Sequence, residues 1–159
     1  MPGARYVSKT TCTNGDGFST TSSSDGVIVD LTSPTPGLVY DGSSLSIDLE
    51  YQSSTTIVKA VWKRFADQES GITRYRWGLG TTPNDVDTVN FTVTGRATSG
   101  KAEKLTLLHG ARYYVIVEAT NGAGMTSHGW SNGFTVDVSP PDFSEVNKVY
   151  CCYLKMRYS

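Results

Sequence analysis

The 159-residue chain is poor in charge. Only 18% of its residues are charged, below the roughly 25% of ordinary domains, and 14 basic against 15 acidic side chains leave a formal net charge of -1. No basic footprint exists for gripping nucleic acid. Cysteine is scarce as well: Cys12, Cys151 and Cys152 make an odd number, and two are adjacent, so a disulfide scaffold is not the design. Histidine is limited to His109 and His128, which no metal-ligand spacing connects, and neither a metal nor another cofactor is expected. No run approaches the 18 apolar residues of a membrane span. Residues 1–24 are polar where a signal peptide needs an apolar stretch, so a secreted protein of this sequence would take its address from elsewhere. The length allows one domain or a little more, which excludes multidomain enzymes.

What the chain does have is hydroxyls and repetition. Serine (18) and threonine (20) make up 38 residues, a composition that favours strands. At an offset of 107 residues Ala4-Arg5-Tyr6 falls on Ala111-Arg112-Tyr113 and Thr13-Asn14-Gly15 on Thr120-Asn121-Gly122. Gly17, Ser24, Gly26, Val29-Asp30 and Pro34 fall likewise on Gly124, Ser131, Gly133, Val136-Asp137 and Pro141. Twelve positions agree without a gap between residues 4 and 34. The chain therefore reads as the last two strands of an incomplete preceding repeat (1–33), a complete unit (34–141) and a divergent tail (142–159), as if cut from a tandem array. In the tail, Phe143, Val146, Val149, Tyr150, Tyr153 and Leu154 have the spacing of a short helix. A mis-spliced or disordered end is the other reading of it.

Within the complete unit the period is two, as an antiparallel all-β domain requires. Leu45, Ile47, Leu49 and Tyr51 alternate with polar residues, as do Val58, Ala60 and Trp62, then Tyr75, Trp77 and Leu79. Val89, Phe91 and Val93 form another expected strand, Leu105 and Leu107 a shorter one, Tyr113, Val115, Val117 and Ala119 the clearest, and Phe134, Val136 and Val138 the last. Seven such strands predict a two-sheet sandwich with Trp62, Ile72, Tyr75, Trp77, Leu107, Tyr113, Val115 and Val117 in its core.

The order of motifs resembles the fibronectin type III fold across 34–141. Trp62 sits where that family places its second-strand tryptophan, and Ile72-Thr73-Arg74-Tyr75-Arg76-Trp77 is similar to its third-strand pattern. Leu107-x-x-Gly110-x-x-Tyr113-x-Val115-x-Val117-x-Ala119-x-Asn121-x-x-Gly124 is similar to its corner and sixth strand, with His109 in place of a common proline. The resemblance implies a seven-stranded antiparallel β-sandwich and a tyrosine corner at Tyr113, whose hydroxyl bonds backbone at the strand entrance. It also implies a repeat of a large extracellular protein of the adhesion or matrix type in animals. The fragment 1–33 supplies only counterparts of the sixth and seventh strands, with Tyr6, Ser8, Thr10 and Cys12 on its inward face, so a poorly ordered hairpin is expected.

Catalytic fragments dissolve on inspection. Gly129-Trp130-Ser131-Asn132-Gly133 spells a nucleophile elbow, but it enters the last strand of a sandwich and no histidine follows it. Asn14, Asp16 and Gly17 fit part of a calcium loop whose first and bidentate positions are Cys12 and Ser23, which is a turn. Asp67 and Glu69 could join Asp30 or Asp41 to hold calcium at a domain junction; solvated turn carboxylates are the plainer reading. An enzyme is not expected. The expected binding surface is the outer face of the sheet holding the third and sixth strands: Arg74, Arg76, Tyr114 and Ile116, all wet, with Met125, His128 and Trp130 from the adjoining loop. Asn90-Phe91-Thr92 is the one glycosylation pattern, with Phe91 inward and Asn90 and Thr92 outward. Two functions fit: a non-catalytic extracellular interaction or spacer module contacting other proteins or neighbouring repeats, and an accessory sandwich that binds carbohydrate for a larger enzyme.

Overall fold

A computed structural model describes residue 1 and residues 3–141; the helix expected in the tail and the pair Cys151-Cys152 lie outside the described residues. A long ribbon comes first. Strand β1 (Arg5–Tyr6), β2 (Lys9–Thr13), β3 (Ser19–Ser23) and β4 (Val27–Ile28) pair antiparallel as β1 with β4 and β2 with β3. The sandwich follows with β5 (Leu38–Asp41), β6 (Tyr51–Gln52), β7 (Val58–Lys63), β8 (Ile72–Gly80) and β9 (Val89–Gly95). It is completed by β10 (Ser99–Ala102), β11 (Arg112–Asn121), β12 (Thr126–Trp130) and β13 (Phe134–Val136). One sheet has the order β10-β7-β5; the other has β6-β13-β11-β8-β9, with β12 also on β11. All pairings are antiparallel except the short parallel contact of β6 with β13. No helix among the described residues is long and apolar enough to cross a membrane.

Alternation explains why β7 is a strand with one dry side. Val58, Ala60 and Trp62 are buried while Lys59, Val61 and Lys63 face outward. Trp62 meets Tyr75 of the opposite sheet edge to face, with ring centroids 5.8 Å apart and planes at 64°, and Phe65 meets the same tyrosine at 5.7 Å and 66°. Such pairs add about 0.5–1.5 kcal/mol each to what burial contributes. Trp77, Leu79, Leu107, Tyr113, Val115 and Val117 complete the interior, and Ile72 packs against it from the rim. Gly100 is a glycine because the Trp77 ring occupies the space a Cβ would need. The tyrosine corner is formed: the Leu108 amide donates to the Tyr113 hydroxyl at 3.1 Å.

Four expectations of strand structure need correction. Leu45 to Tyr51 is a loop up to β6, because the chain turns at Gly42 (φ 97°) and Asp48 caps the turn, its carboxylate accepting from the Asp41 amide at 2.7 Å; Leu45 and Ile47 are left exposed. The fifth strand is β10, not Leu105–Leu107. Those two leucines run alongside residues 55 and 56, joined by Leu105 N–H to Thr56 O and Leu107 N–H to Thr55 O. Phe91 faces outward, because register shifts in the β8–β9 ladder rotate β9 against the simple alternation. Val138 lies past the end of β13 and is exposed.

The ribbon is the sixth and seventh strands drawn a second time. Arg5 pairs with Ile28 as Arg112 pairs with Thr135, and Lys9 to Thr13 pair with Ser23 to Ser19 as Ile116 to Thr120 pair with Trp130 to Thr126. Individual bonds recur at the same offset. Gly3 N–H donates to Val29 O and Gly110 N–H to Val136 O, both at 2.8 Å. The Ser8 amide donates to the Ser24 hydroxyl as the Val115 amide does to that of Ser131, both at 3.0 Å. Gly26 and Gly133 adopt φ of 84° and 85°, which any larger residue would resist. The ladder is regular in its pairing and is reinforced by hydroxyl pairs Thr11–Thr21 and Thr13–Ser19 at 2.8 and 2.7 Å. Its inward residues nevertheless remain exposed, as expected of two strands with nothing to cover them.

Candidate interaction face and junction

Register decides what the outer face of the larger sheet presents. Across β8, β11 and β12 it aligns Arg76, Glu118 and His128 in one row, and Gly78, Ile116 and Trp130 in the next. Arg76 clasps Glu118 with two charge-assisted hydrogen bonds, Nε to Oε1 at 2.6 Å and Nη2 to Oε2 at 2.7 Å. His128 Nε2 lies 3.1 Å from Glu118 Oε2. Burial pushes the Glu118 carboxyl up, but the hydrogen bonds and charge of Arg76, helped by His128, more than offset it, so Glu118 ionises below the ordinary carboxylate range. The Arg76 guanidinium also lies over the Phe91 ring at 4.4 Å, an arrangement that uses both its charge and its flat face.

The next row is drier than its sequence suggests. Ile116, expected wet, is only 4% exposed, because β8 offers just Gly78 beside it, Val86 from the β8–β9 loop fills the vacated space, and Trp130 stands on its other flank. Val86, Phe91, Ile116, His128 and Trp130, with Pro83, Asn84 and Asp85 from the β8–β9 loop, line a cavity of about 330 Å³. Trp130 itself is 54% exposed. The structure thus brings Arg76, Ile116, His128 and Trp130 into one patch. Tyr114 flanks it, half-buried, with the Arg112 guanidinium 5.9 Å from its ring, and Arg74 is exposed with its Nε 3.3 Å from the Thr120 hydroxyl. Met125 is held apart in the β11–β12 turn, its amide bonded to Asn121 Oδ1. Phe91 and Val86 were missed as members of the patch, since only the register shifts in β9 reveal which way Phe91 points.

A second polar cluster ties the ribbon to the sandwich. Asn121 is buried, and its Nδ2 donates to Asp30 Oδ2 at 2.8 Å, Thr32 O at 2.9 Å and Asp67 Oδ2 at 3.1 Å. The Ser70 hydroxyl donates to the other side of the same junction, to Asp30 Oδ2, and accepts from the Gly122 amide at 2.8 Å. Of the four acids weighed as a calcium set, Asp30, Asp67 and Glu69 do converge, whereas Asp41 lies buried elsewhere. Their oxygens bond amides and hydroxyls: Glu69 accepts from Thr32, and Asp67 from the amides of Ser70 and Gly71. The offset of 107 pairs Asn121 with Asn14 in sequence, a signal that marked its position but not its partners.

The fragments that looked catalytic have structural duties. Ser131 is buried and its hydroxyl accepts from the Val115 amide, so it holds the switch of β11 from β12 to β13. His109 Nδ1 accepts from the Val138 amide at 3.3 Å. Asn90 and Thr92 are both exposed on the edge strand β9.

Among the described residues, strands without helices, two mainly antiparallel sheets, a tyrosine corner and a buried second-strand tryptophan define a fibronectin type III-like β-sandwich. Two solved structures similar to it are the twitchin kinase region from C. elegans and the sixth fibronectin type III domain of human fibronectin type III domain containing protein 3. The first is 16% identical over 72% of this chain with a TM-score of 0.45, and the chain spans only 18% of its length. The second is 17% identical over 72% of this chain and 96% of its own, with a TM-score of 0.44. No family model and no curated protein matches the chain.

Proposed function

We propose that this chain is a non-catalytic interaction and spacer module from an extracellular tandem array of the adhesion or matrix type. The observation that carries the array reading is the ribbon, which repeats the hydrogen bonds of β11–β13 at a constant offset while leaving its inward face bare. Residues 1–33 are the end of a preceding repeat and 34–141 a complete one, with other proteins or neighbouring repeats as partners. The contact face is the patch of Arg76, Phe91, Ile116, His128 and Trp130, with Arg74, Tyr114 and Met125 around it. An exposed tryptophan beside a recess lined by Ile116, Phe91 and Val86 and next to a neutralised ion pair has the composition of an interface centre rather than of idle surface.

The test is binding of the full chain to a panel of cell-surface and matrix proteins. Saturable binding that Trp130→Ala abolishes, with an unchanged melt, supports the module; binding indifferent to Trp130 and Ile116 removes the face from it. Secretion from animal cells should place a sugar on Asn90, and an unmodified Asn90 argues against the extracellular setting. A carbohydrate-binding accessory sandwich is the second reading, favoured by the exposed Trp130 ring. Tyr114, its natural companion in an aromatic platform, is half-covered. Selective glycan-array binding lost in Trp130→Ala would put this reading first.

A further inference from the structure

Asp41 is the last residue of β5 and points into the sandwich opposite Ala60 of β7. It is 1% exposed, and neither carboxyl oxygen has a hydrogen-bond partner among the described residues. A buried carboxylate without partners is costly, so the group sheds its charge instead. Its backbone, by contrast, is fully engaged with the loop that follows. The Asp41 amide donates to Asp48 Oδ1 at 2.7 Å, the Leu49 amide donates to Asp41 O at 3.1 Å, and the Leu49 side chain lies where a Cβ on Gly42 would project. Loop 42–50 is therefore folded over the end of β5 by the residue that carries the buried acid.

We propose that Asp41 and loop 42–50 form a proton-operated latch, closed while the Asp41 carboxyl is protonated and released when it loses its proton to water. The charged groups that face Asp41 are Asp48 from the loop, whose negative charge opposes ionisation, and Arg112 from β11, whose positive charge favours it. From the β12–β13 connection the Ser131 hydroxyl and the Gly133 amide face the carboxyl without closing a hydrogen bond to it, so they favour the ionised form less than burial opposes it, and β7 contributes Ala60. Burial is the largest influence and pushes Asp41 up to about 7. The sign follows directly. A carboxyl raised in the folded state stabilises the fold while it is protonated; that stability is complete below the ordinary carboxylate range and is lost as pH rises through about 7. At its upper limit the ionised carboxylate must find water, and the way to water is to lift the loop that Asp48 and Leu49 hold down.

Carboxyl-carbon and amide NMR of the full chain between pH 4 and 9 tests this. The Asp41 carboxyl carbon should titrate with a midpoint within about one unit of 7, and the amides of Gly42, Asp48 and Leu49 should shift with the same midpoint. Asp41→Asn should abolish the amide titration, and its melting temperature should not fall between pH 5 and 8 where that of the parent does. Should Asp41→Asn fail to fold, Asp48→Asn must lower the Asp41 midpoint. A midpoint below 5, loop amides that titrate unchanged in Asp41→Asn, or a midpoint indifferent to Asp48→Asn overturns the latch.

Discussion

The same hairpin occurs twice in this molecule, once bare and once enclosed. Tyr6 and Tyr113 occupy equivalent places in ladders of identical register, yet Tyr6 is 52% exposed and Tyr113 4%. The bare copy puts Ser8, Thr10 and Cys12 where the enclosed one puts Val115, Val117 and Ala119. On the outer face, Thr11 bonds Thr21 where Glu118 meets His128. Backbone pairing and glycine placement therefore suffice to set the geometry of a β-hairpin, while burial decides how much that geometry contributes to stability. Cross-strand hydroxyl pairs hold a register in water; an ion pair such as Arg76–Glu118 arises where a third strand is present to supply the arginine.

The largest break in the comparison is expected at the tyrosines. Tyr113→Ala should lose about 3–5 kcal/mol of stability as a large-to-small core change, whereas Tyr6→Ala should stay within about 0.5 kcal/mol as a surface change; chemical denaturation of both variants checks it. Trp62→Ala belongs with Tyr113 at about 3–5 kcal/mol. A melt unchanged by either core substitution would refute the register. Next in size, Glu118→Gln should cost about 1–3 kcal/mol by leaving Arg76 without its carboxylate, and Thr11→Val about nothing. Because Glu118 ionises below its ordinary range, its contribution is present above that range and fades as pH falls through it, so the gap between Glu118→Gln and the parent should close in acid.

The smallest effects probe the junction. Asn121→Ala should cost about 1–2 kcal/mol, since it strands Asp30 and Asp67 without their amide partner, while Asn14→Ala should alter only the ribbon's own turn. Removing residues 1–28 should leave the unfolding midpoint of the sandwich almost unmoved; extending the cut to residue 33 also removes Asp30 and Thr32 and should lower it measurably. Equal midpoints for the two truncations would mean that the Asp30–Asn121 contact does not stabilise the sandwich.

Much of this architecture was legible in sequence, for identifiable reasons. Period-two burial of Val58, Ala60 and Trp62 and the spacing from Leu107 to Gly124 place a strand and a corner without any tertiary information. The repeat offset carried over to hydrogen bonds that the sequence could not display. Elsewhere local pattern was overruled. Leu45, Ile47 and Leu49 alternate like a strand, yet the side chain of Asp48 and a left-handed Gly42 form a loop. Phe91 alternates inward, yet slips in the β8–β9 ladder turn it out toward Arg76. Ile116 sits on a nominally wet face, yet Gly78 beside it creates a recess that Val86 fills. Each miss depends on what a neighbouring strand brings alongside, which a single strand's pattern does not contain.

Asp30 gives the linker two anchorages in two layers. Downstream the chain runs into β5 of the smaller sheet, while the Asp30 carboxylate is held by Asn121 at the tip of the larger sheet and by Ser70 next to it. Tension applied from the amino-terminal side would consequently be divided between both layers instead of falling on β5 alone.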